Sequence, residues 1–295
     1  MAPHDPYHRG SRAVQDRVGV RGLADHVGRS IGPGIRPVAA AFLELQPMLV
    51  VGARDPDSGR VWASPLTGEP GFVRATGAHQ VSVAGRAGAG DPLAAALGRA
   101  GTPVGTIALD PRTRRRMRLN GRARPTARGL AIEADQVFSN CPKYLQKRHL
   151  LGARPGGGPA GPPRVTAELT AAQQRFVAAA DTFFVATVRD GGADASHRGG
   201  NPGFLRVLSP SELSWPDYPG NAMFLTLGNL TTDPGAGLLL LDWTTGTALQ
   251  LTGTAALAYG PDGARTVRFT LTEAVETAGA SPWAWSAPEY SPANP

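Results

Sequence analysis

The chain has 295 residues, with 30 Lys plus Arg against 23 Asp plus Glu, a net charge of +7, and 41% apolar residues. The 38 glycines and 27 prolines fall short of a low-complexity composition, and the apolar content excludes a disordered chain. A single cysteine, Cys141, excludes an intrachain disulfide and a cysteine-only zinc site.

No stretch reaches the roughly 18 apolar residues of a membrane-spanning helix. The first 30 residues lack the apolar core of a secretory signal, so a cytoplasmic protein is expected. Lys143 and Lys147 are the only lysines, and Ala, Gly and Pro abound. That usage fits a GC-rich bacterial coding sequence, a plainer source of basic charge than nucleic-acid binding.

In chain order, Val14, Val18, Leu23, Val27 and Ile31 fall at helical spacings and predict one amphipathic helix over 11–31. Val38 to Leu45 predicts a second, short helix. Met48 to Ala53 reads as a strand, closed by the turn residues Arg54-Asp55-Pro56-Asp57. Arg112, Arg114, Arg116 and Arg118 alternate, so on a strand they share one face, expected to be a solvated outer face rather than a nucleic-acid patch. Asn140-Cys141-Pro142-Lys143-Tyr144 follows. A nucleophilic Cys141 would need a neighbouring His or a helix N-terminus, and none is near in sequence. Gly152 to Arg164 reads as a linker. Beyond it, Thr170-Ala171-Ala172-Gln173 has the form of a capping box, with Phe176 and Val177 on the apolar side. Phe183 to Val188 reads as a strand closed by Arg189-Asp190-Gly191-Gly192. Gly237 to Trp243 reads as a buried strand, and Thr247 to Ala256 as the next. His4, His8, His26, His79 and His149 have no metal-ligand spacing and are expected on the surface. Many short strands with few helices predict a mainly β protein of small barrels.

The two parts flanking the linker are related. A shift of 132 residues matches Ala63-Ser64 with Ala195-Ser196, Pro70-Gly71-Phe72 with Pro202-Gly203-Phe204, and Leu109-Asp110 with Leu241-Asp242. In the windows 63–74 and 105–123, 14 of 31 positions are identical; between 75–104 and 207–236, only 3 of 30 are. We read a tandem duplication whose middle diverged. The organisation is an N-terminal helical extension (1–35), a first module (36–151), the linker (152–164) and a second module (165–295).

The densest polar cluster is Ala195-Ser196-His197-Arg198-Gly199-Gly200. Glycines let backbone N–H groups approach an anion, and His and Arg add cationic donors, so a phosphate- or ring-binding loop is one reading. A glycine-rich strand connection is the other. The first copy keeps Ser64 and Gly68 but has Pro65-Leu66 in place of His197-Arg198. The small residues therefore read as structural and the charged pair as the working difference. Phe224 to Asn229 forms a second cluster, whose plainer reading is a strand end with a turn.

Taken together, Phe183 to Gly191, Ala195 to Gly200, Trp215 to Asn221, Thr226 to Asn229 and Asp233-Pro234 resemble the pyridoxamine 5′-phosphate oxidase-like flavin-binding split barrels. Cys141 to Tyr144 and Glu289 to Pro295 resemble their longer, two-module members. The resemblance implies two tandem split β-barrels with short flanking helices, paired as an intrachain pseudodimer, and an FMN-binding oxidoreductase acting on a small molecule with an electron donor or acceptor. It implies cofactor contacts from Ser196, His197, Arg198, Gly199, Arg206, Thr226, Leu227, Gly228 and Asn229. The first module would supply an opposing wall through Asn140, Cys141, Lys143 and Tyr144. Only the second copy has the His-Arg pair, so one flavin per chain is expected. No Lys follows Arg198 or Arg206 in the Arg-x-x-x-x-Lys pattern of true pyridoxamine phosphate oxidases, which argues against vitamin B6 oxidation. Split barrels also hold deazaflavin or haem; for haem, His197, Cys141 and Tyr144 are the axial candidates. A homodimer of pseudodimers is a further expectation.

Overall fold

The computed structural model describes residues 5–139, 141–159 and 161–295. Three helices come first: α1 (Arg9–Val18), α2 (Arg21–Gly28) and α3 (Pro37–Glu44). The single helix expected over 11–31 is thus two. Gly19 ends α1 in the left-handed region at φ +73°, where its N–H caps the Asp16 carbonyl. His8, expected on the surface, is half-buried and N-caps α1 by accepting from the Gly10 N–H. α3 starts on a proline, whose missing N–H costs a first turn nothing.

The first half continues with β1 (Met48–Arg54), β2 (Val61–Thr67), β3 (Val73–Gly77), β4 (Gln80–Val83), α4 (Ala94–Leu97), β5 (Thr102–Asp110), β6 (Arg115–Thr126) and β7 (Gly129–Ser139). After β8 (Leu150–Ala153) and β9 (Arg164–Thr166) come α5 (Ala171–Ala179), β10 (Thr182–Arg189), β11 (Gly192–Gly199), β12 (Arg206–Ser209) and β13 (Glu212–Pro216). α6 (Leu225–Leu230), β14 (Gly235–Leu241), β15 (Ala248–Tyr259), β16 (Arg265–Thr277) and β17 (Trp283–Trp285) complete the chain. Both halves of the capping box on Thr170 and Gln173 are formed. The ends of the Gly/Pro segment 152–164 are strand rather than linker: β8 pairs with β17, and β9 pairs with the long β16. Residues 225–230, expected as a strand end, form α6.

The strands make two antiparallel sheets of the same order. One runs β2-β1-β5-β6-β7-β4-β3, the other β11-β10-β14-β15-β16-β13-β12. Each strand from β1 to β7 has its counterpart from β10 to β16. The correspondence includes β3 and β4, where sequence identity has vanished. Each half has its own apolar core, centred on Leu66, Phe72 and Ile132 in the first and on Phe183, Trp215 and Phe269 in the second.

A third core lies between the sheets and includes Val50, Ile107, Leu145, Phe184, Ala186 and Leu239. Edge strand β11 lies across β5, and edge strand β2 lies across β14. The contacts repeat with near two-fold symmetry. A Cβ on Gly105 would sit 2.3 Å from the Asp194 Cα; one on Gly237 would sit 2.6 Å from the Trp62 Cα. Both residues of the second contact are 132 positions from those of the first. Near the axis, a Cβ on Gly52 would sit 2.5 Å from the Ala186 Cβ. Glycine is required at 105 and 237 because the backbones of the two sheets touch there, and at 52 because the Ala186 methyl leaves no room for a Cβ.

Among the described residues no helix is long and apolar enough to cross a membrane. Gly52→Val is expected to destabilise the chain by about 1–3 kcal/mol through overpacking of the inter-sheet core. Gly22→Ala, in open space on α2, is expected to be neutral or slightly stabilising. Urea midpoints of the two variants check the pair.

Candidate functional site

The two halves share one cleft, with about 870 Å³ of empty space, part of it open to solvent. The first half contributes Arg116 and Arg118 from β6, and Cys141, Lys143 and Tyr144 from the segment after β7. The second contributes Ser196 to Gly199 from β11 and the run from Pro216 to Leu227. Of the residues singled out from sequence, Ser196, His197, Arg198, Gly199, Thr226, Leu227, Cys141, Lys143 and Tyr144 come together here. Three do not. Arg206 is exposed on β12. Gly228 packs against the Ser11 backbone of α1. Asn229 is buried and donates to the Thr187 hydroxyl at 3.0 Å. His4 and Asn140 lie outside the described residues.

The arginine run does not form a solvated outer face. Arg112 and Arg114 precede β6, Arg114 with φ +53°, and tie down the turn: Arg112 to Asp110, Arg114 to the Leu145 carbonyl. Arg116 and Arg118 face the other half of the chain. The outer face of one sheet is the inner wall of the cleft, because the second half packs on it. Arg118 and Asp194 form an ion pair with side chains 5% and 3% exposed. Asn120 Nδ2 and Thr226 Oγ1 also donate to the Asp194 carboxylate, at 3.2 Å each. The Thr226 hydroxyl shares a 2.8 Å bond with Ser196 Oγ. Asp217, the other lining carboxylate, is paired with Arg265 at 2.8 Å.

Two guanidiniums remain. Arg116 bonds to His197 Nδ1 at 2.7 Å and to the Cys141 carbonyl at 2.5 Å. Arg198 donates to Ser196 Oγ at 3.1 Å and to the His197 carbonyl at 3.0 Å. Neither has a carboxylate partner among the described residues. Burial, with Arg198 and Arg118 close by, pulls the Arg116 guanidinium down to about 10, so it stays charged at neutral pH. Burial also lowers Arg198. An arginine only donates, so His197 Nδ1 must accept and its proton sits on Nε2. Burial, then the charges of Arg116, Arg198 and Arg148, hold His197 well below its ordinary value of 6.5. His197 is therefore a neutral ring and not the cationic donor expected from sequence. The cleft carries excess positive charge on two fixed arginines and suits an anion.

Opposite this charge the walls are aromatic. The Tyr144 and Tyr218 rings meet at a tilt with centroids 5.1 Å apart, and the Tyr144 hydroxyl donates to the Pro219 carbonyl at 3.0 Å, linking the two halves at the mouth. Arg265 lies 5.2 Å from the centre of the Phe224 ring. Tyr144, Ala222 and Phe224 hold φ of +64°, +59° and +52°. Left-handed backbone is costly for such residues and persists where surroundings enforce it, characteristically at ligand sites. Arg116, Arg118, Asp194, Asp217 and the 222–224 turn had no clear signal in sequence. The one clue was the copy: Arg118 corresponds to Gln250, a polar residue on what would otherwise be an apolar strand.

The image of this cleft in the first half is filled. Gln250 Nε2 donates to the Ala63 carbonyl and Ser64 Oγ, at 3.1 and 2.9 Å, and to Asp91 at 3.2 Å. Ser64 Oγ donates to Asp91 at 2.6 Å. Burial raises the Asp91 carboxyl above its ordinary range. Leu66, at the position of Arg198, and Leu93, whose N–H donates to the Asp91 carboxylate at 2.8 Å, are both fully buried in the apolar core of the first half.

Arg118→Ala leaves Asp194 as a buried uncompensated charge and is expected to cost about 3–5 kcal/mol in denaturant unfolding, part of it recovered by adding Asp194→Ala. His197 makes stability pH-dependent. Its folded pKa lies below 6.5, so the unfolded state binds the extra proton, and stability present above pH 6.5 is lost as pH falls below it. Nitrogen-15 NMR of the imidazole is expected to show a neutral Nε2–H ring still at pH 6.

Residues 169–294 match the family model described as pyridoxamine 5′-phosphate oxidase. No curated protein matches the chain. Among solved structures, a Lactobacillus delbrueckii protein named for a pyridoxamine 5′-phosphate oxidase is 21% identical, covering 37% of this chain and 94% of its own at a TM-score of 0.31. A FAD-binding protein from Mesorhizobium loti is 11% identical, covering 39% and 97% at 0.29. A Clostridium acetobutylicum protein described as related to general stress protein 26 of B. subtilis, of the pyridoxinephosphate oxidase family, is 11% identical, covering 38% and 89% at 0.30. The match to that family model thus lies in the second half of the chain, from Leu169 to Asn294.

Proposed function

We propose that this chain is an FMN-binding flavoprotein, an oxidoreductase acting on a small molecule, built as two tandem split barrels paired within one polypeptide. The observation that carries this reading is the convergence of Arg116, from the first half, and Arg198, from the second, on one aromatic-walled cleft. Among the described residues neither has a carboxylate partner. That donor set fits a phosphate monoester joined to a planar ring system.

Arg116 and Arg198 would hold the phosphate, whose oxygens match guanidinium forks. Tyr144, Tyr218 and Phe224 would flank the ring and keep water from it. Ser196 and Thr226 share a hydroxyl bond and can reorient one proton toward a ligand oxygen. Asp194, neutralised by Arg118, would hold that hydroxyl pair in place without repelling an anion. Bound flavin would supply the redox chemistry, the protein its orientation and electrostatics. With Nδ1 accepting from Arg116, the Nε2 of His197 carries the proton and has no lone pair to offer haem iron, which weighs against it as a haem ligand.

Titration of the purified protein with FMN, followed by flavin fluorescence, tests the reading. Arg116→Ala and Arg198→Ala are each expected to weaken FMN binding by about 10- to 100-fold, the range for a lost bond to a charged group. Riboflavin, which lacks the phosphate, is expected to bind wild type weakly and to be insensitive to both substitutions. FMN affinity unchanged in both variants would overturn the assignment.

A further inference from the structure

The N-terminal segment lies outside the matched residues 169–294, yet it reaches the cleft wall. α1 crosses α6 with backbones touching: a Cβ on Gly10 would sit 2.2 Å from the Gly228 carbonyl oxygen, and one on Gly228 would sit 2.4 Å from the Ser11 nitrogen. From this helix the fully buried Gln15 donates through Nε2 to the Met223 carbonyl at 3.1 Å. Its Oε1 accepts from Arg12 Nη1 at 3.0 Å, and Arg12 is itself paired with Asp5 and Asp25. Arg12 can only donate, so the amide orientation is settled, with the NH2 group toward Met223.

Met223 sits between Ala222 and Phe224, the two left-handed residues of this stretch of the cleft wall. Its N–H is taken by the Asn221 side chain at 3.3 Å, so Gln15 completes the pairing of the one residue on which this strained turn pivots. Tyr7, Ala24, Phe138, Met223 and Leu225 form a small apolar cluster around the same point.

We infer that Gln15 is a positioning residue of the cleft: through the Met223 carbonyl it holds the Ala222–Phe224 turn in the shape that places the ligand-facing wall. α1 is then a working part of the site. The effect on ligand rests on the flavin reading; the effect on the turn does not.

The test uses the full chain. Gln15→Leu leaves the Met223 carbonyl without its donor. Arg17→Ala, also on α1, removes instead a contact with the Tyr259 ring at 3.7 Å and serves as the control for loosened α1 docking. Amide hydrogen exchange without ligand is expected to speed up about 10-fold over 222–228 in Gln15→Leu, and not in Arg17→Ala. FMN is expected to bind Gln15→Leu about 10-fold more weakly, with altered visible circular dichroism at saturation, a signature that a purely structural loss would not move. Gln15→Asn, one methylene shorter, is expected to show the same effects in smaller measure and serves if Gln15→Leu does not fold. Unchanged exchange over 222–228, the same loosening in Arg17→Ala, or a loosened turn with unchanged FMN affinity would each overturn the inference. If the turn loosens only in the Gln15 variants while no protein, wild type included, binds FMN, Gln15 holds the turn and the flavin reading falls.

Discussion

Two sheets that touch backbone to backbone set the terms for everything else in this molecule. At Gly52, Gly105 and Gly237 there is no room for a side chain, so β11 must lie across β5 and β2 across β14. That crossing puts the outer face of β6 against the inner end of β11. Without it Arg116 would have no His197 to bond, and Arg118 no Asp194. The cleft is a product of the interface, assembled from residues that neither half could bring together alone.

The interface is nearly symmetric in backbone and strongly asymmetric in charge. On one side stand Arg116, Arg118, His197 and Arg198; at the corresponding positions stand Ala248, Gln250, Pro65 and Leu66. The first set leaves two guanidiniums without acid partners. The second closes on itself through Gln250, Ser64 and Asp91 and fills the rest with leucine. A buried polar group is tolerable once its bonds are made, and the Gln250 cluster makes them internally. Among the described residues the Arg116 and Arg198 charges find carbonyls, a hydroxyl and a ring nitrogen. An anion supplied from outside would answer that excess.

The mainly β fold was legible because it rests on local rules. β-branched and aromatic runs at Phe183 to Val188, turn residues at Asp190-Gly191 and the capping box at Thr170 each say what their segment does. The repeat of Gly105 in Gly237 and of Ser64 in Ser196 pointed to matching halves, and the two sheets share one strand order. The polar residues of the second half were legible because the first half has Pro65 and Leu66 where the second has His197 and Arg198. Between the halves, the resemblance pointed to Cys141, Lys143 and Tyr144 as an opposing wall, but the arginine pairings could not be read. Alternating arginines on a strand with Met117 and Leu119 facing a core read as solvent-facing, since nothing local says that a second sheet covers them. Gly228 and Asn229 read as ligand contacts from the family resemblance, but a short helix and the crossing of α1 bury them away from the cleft. The charge state of His197 depends on its burial between the halves and then on Arg116, 81 positions earlier. Such pairings belong to the tertiary structure and leave no local trace.

The central claim is that one chain builds one anion-binding cleft from both of its halves and fills the second. Counting flavin against protein tests it most directly. Equilibrium dialysis with FMN should give one bound per 30.7 kDa chain, and none tightly held when Arg116, from the first half, is replaced together with Arg198. Two FMN per chain, or one that survives the loss of both arginines, would contradict it.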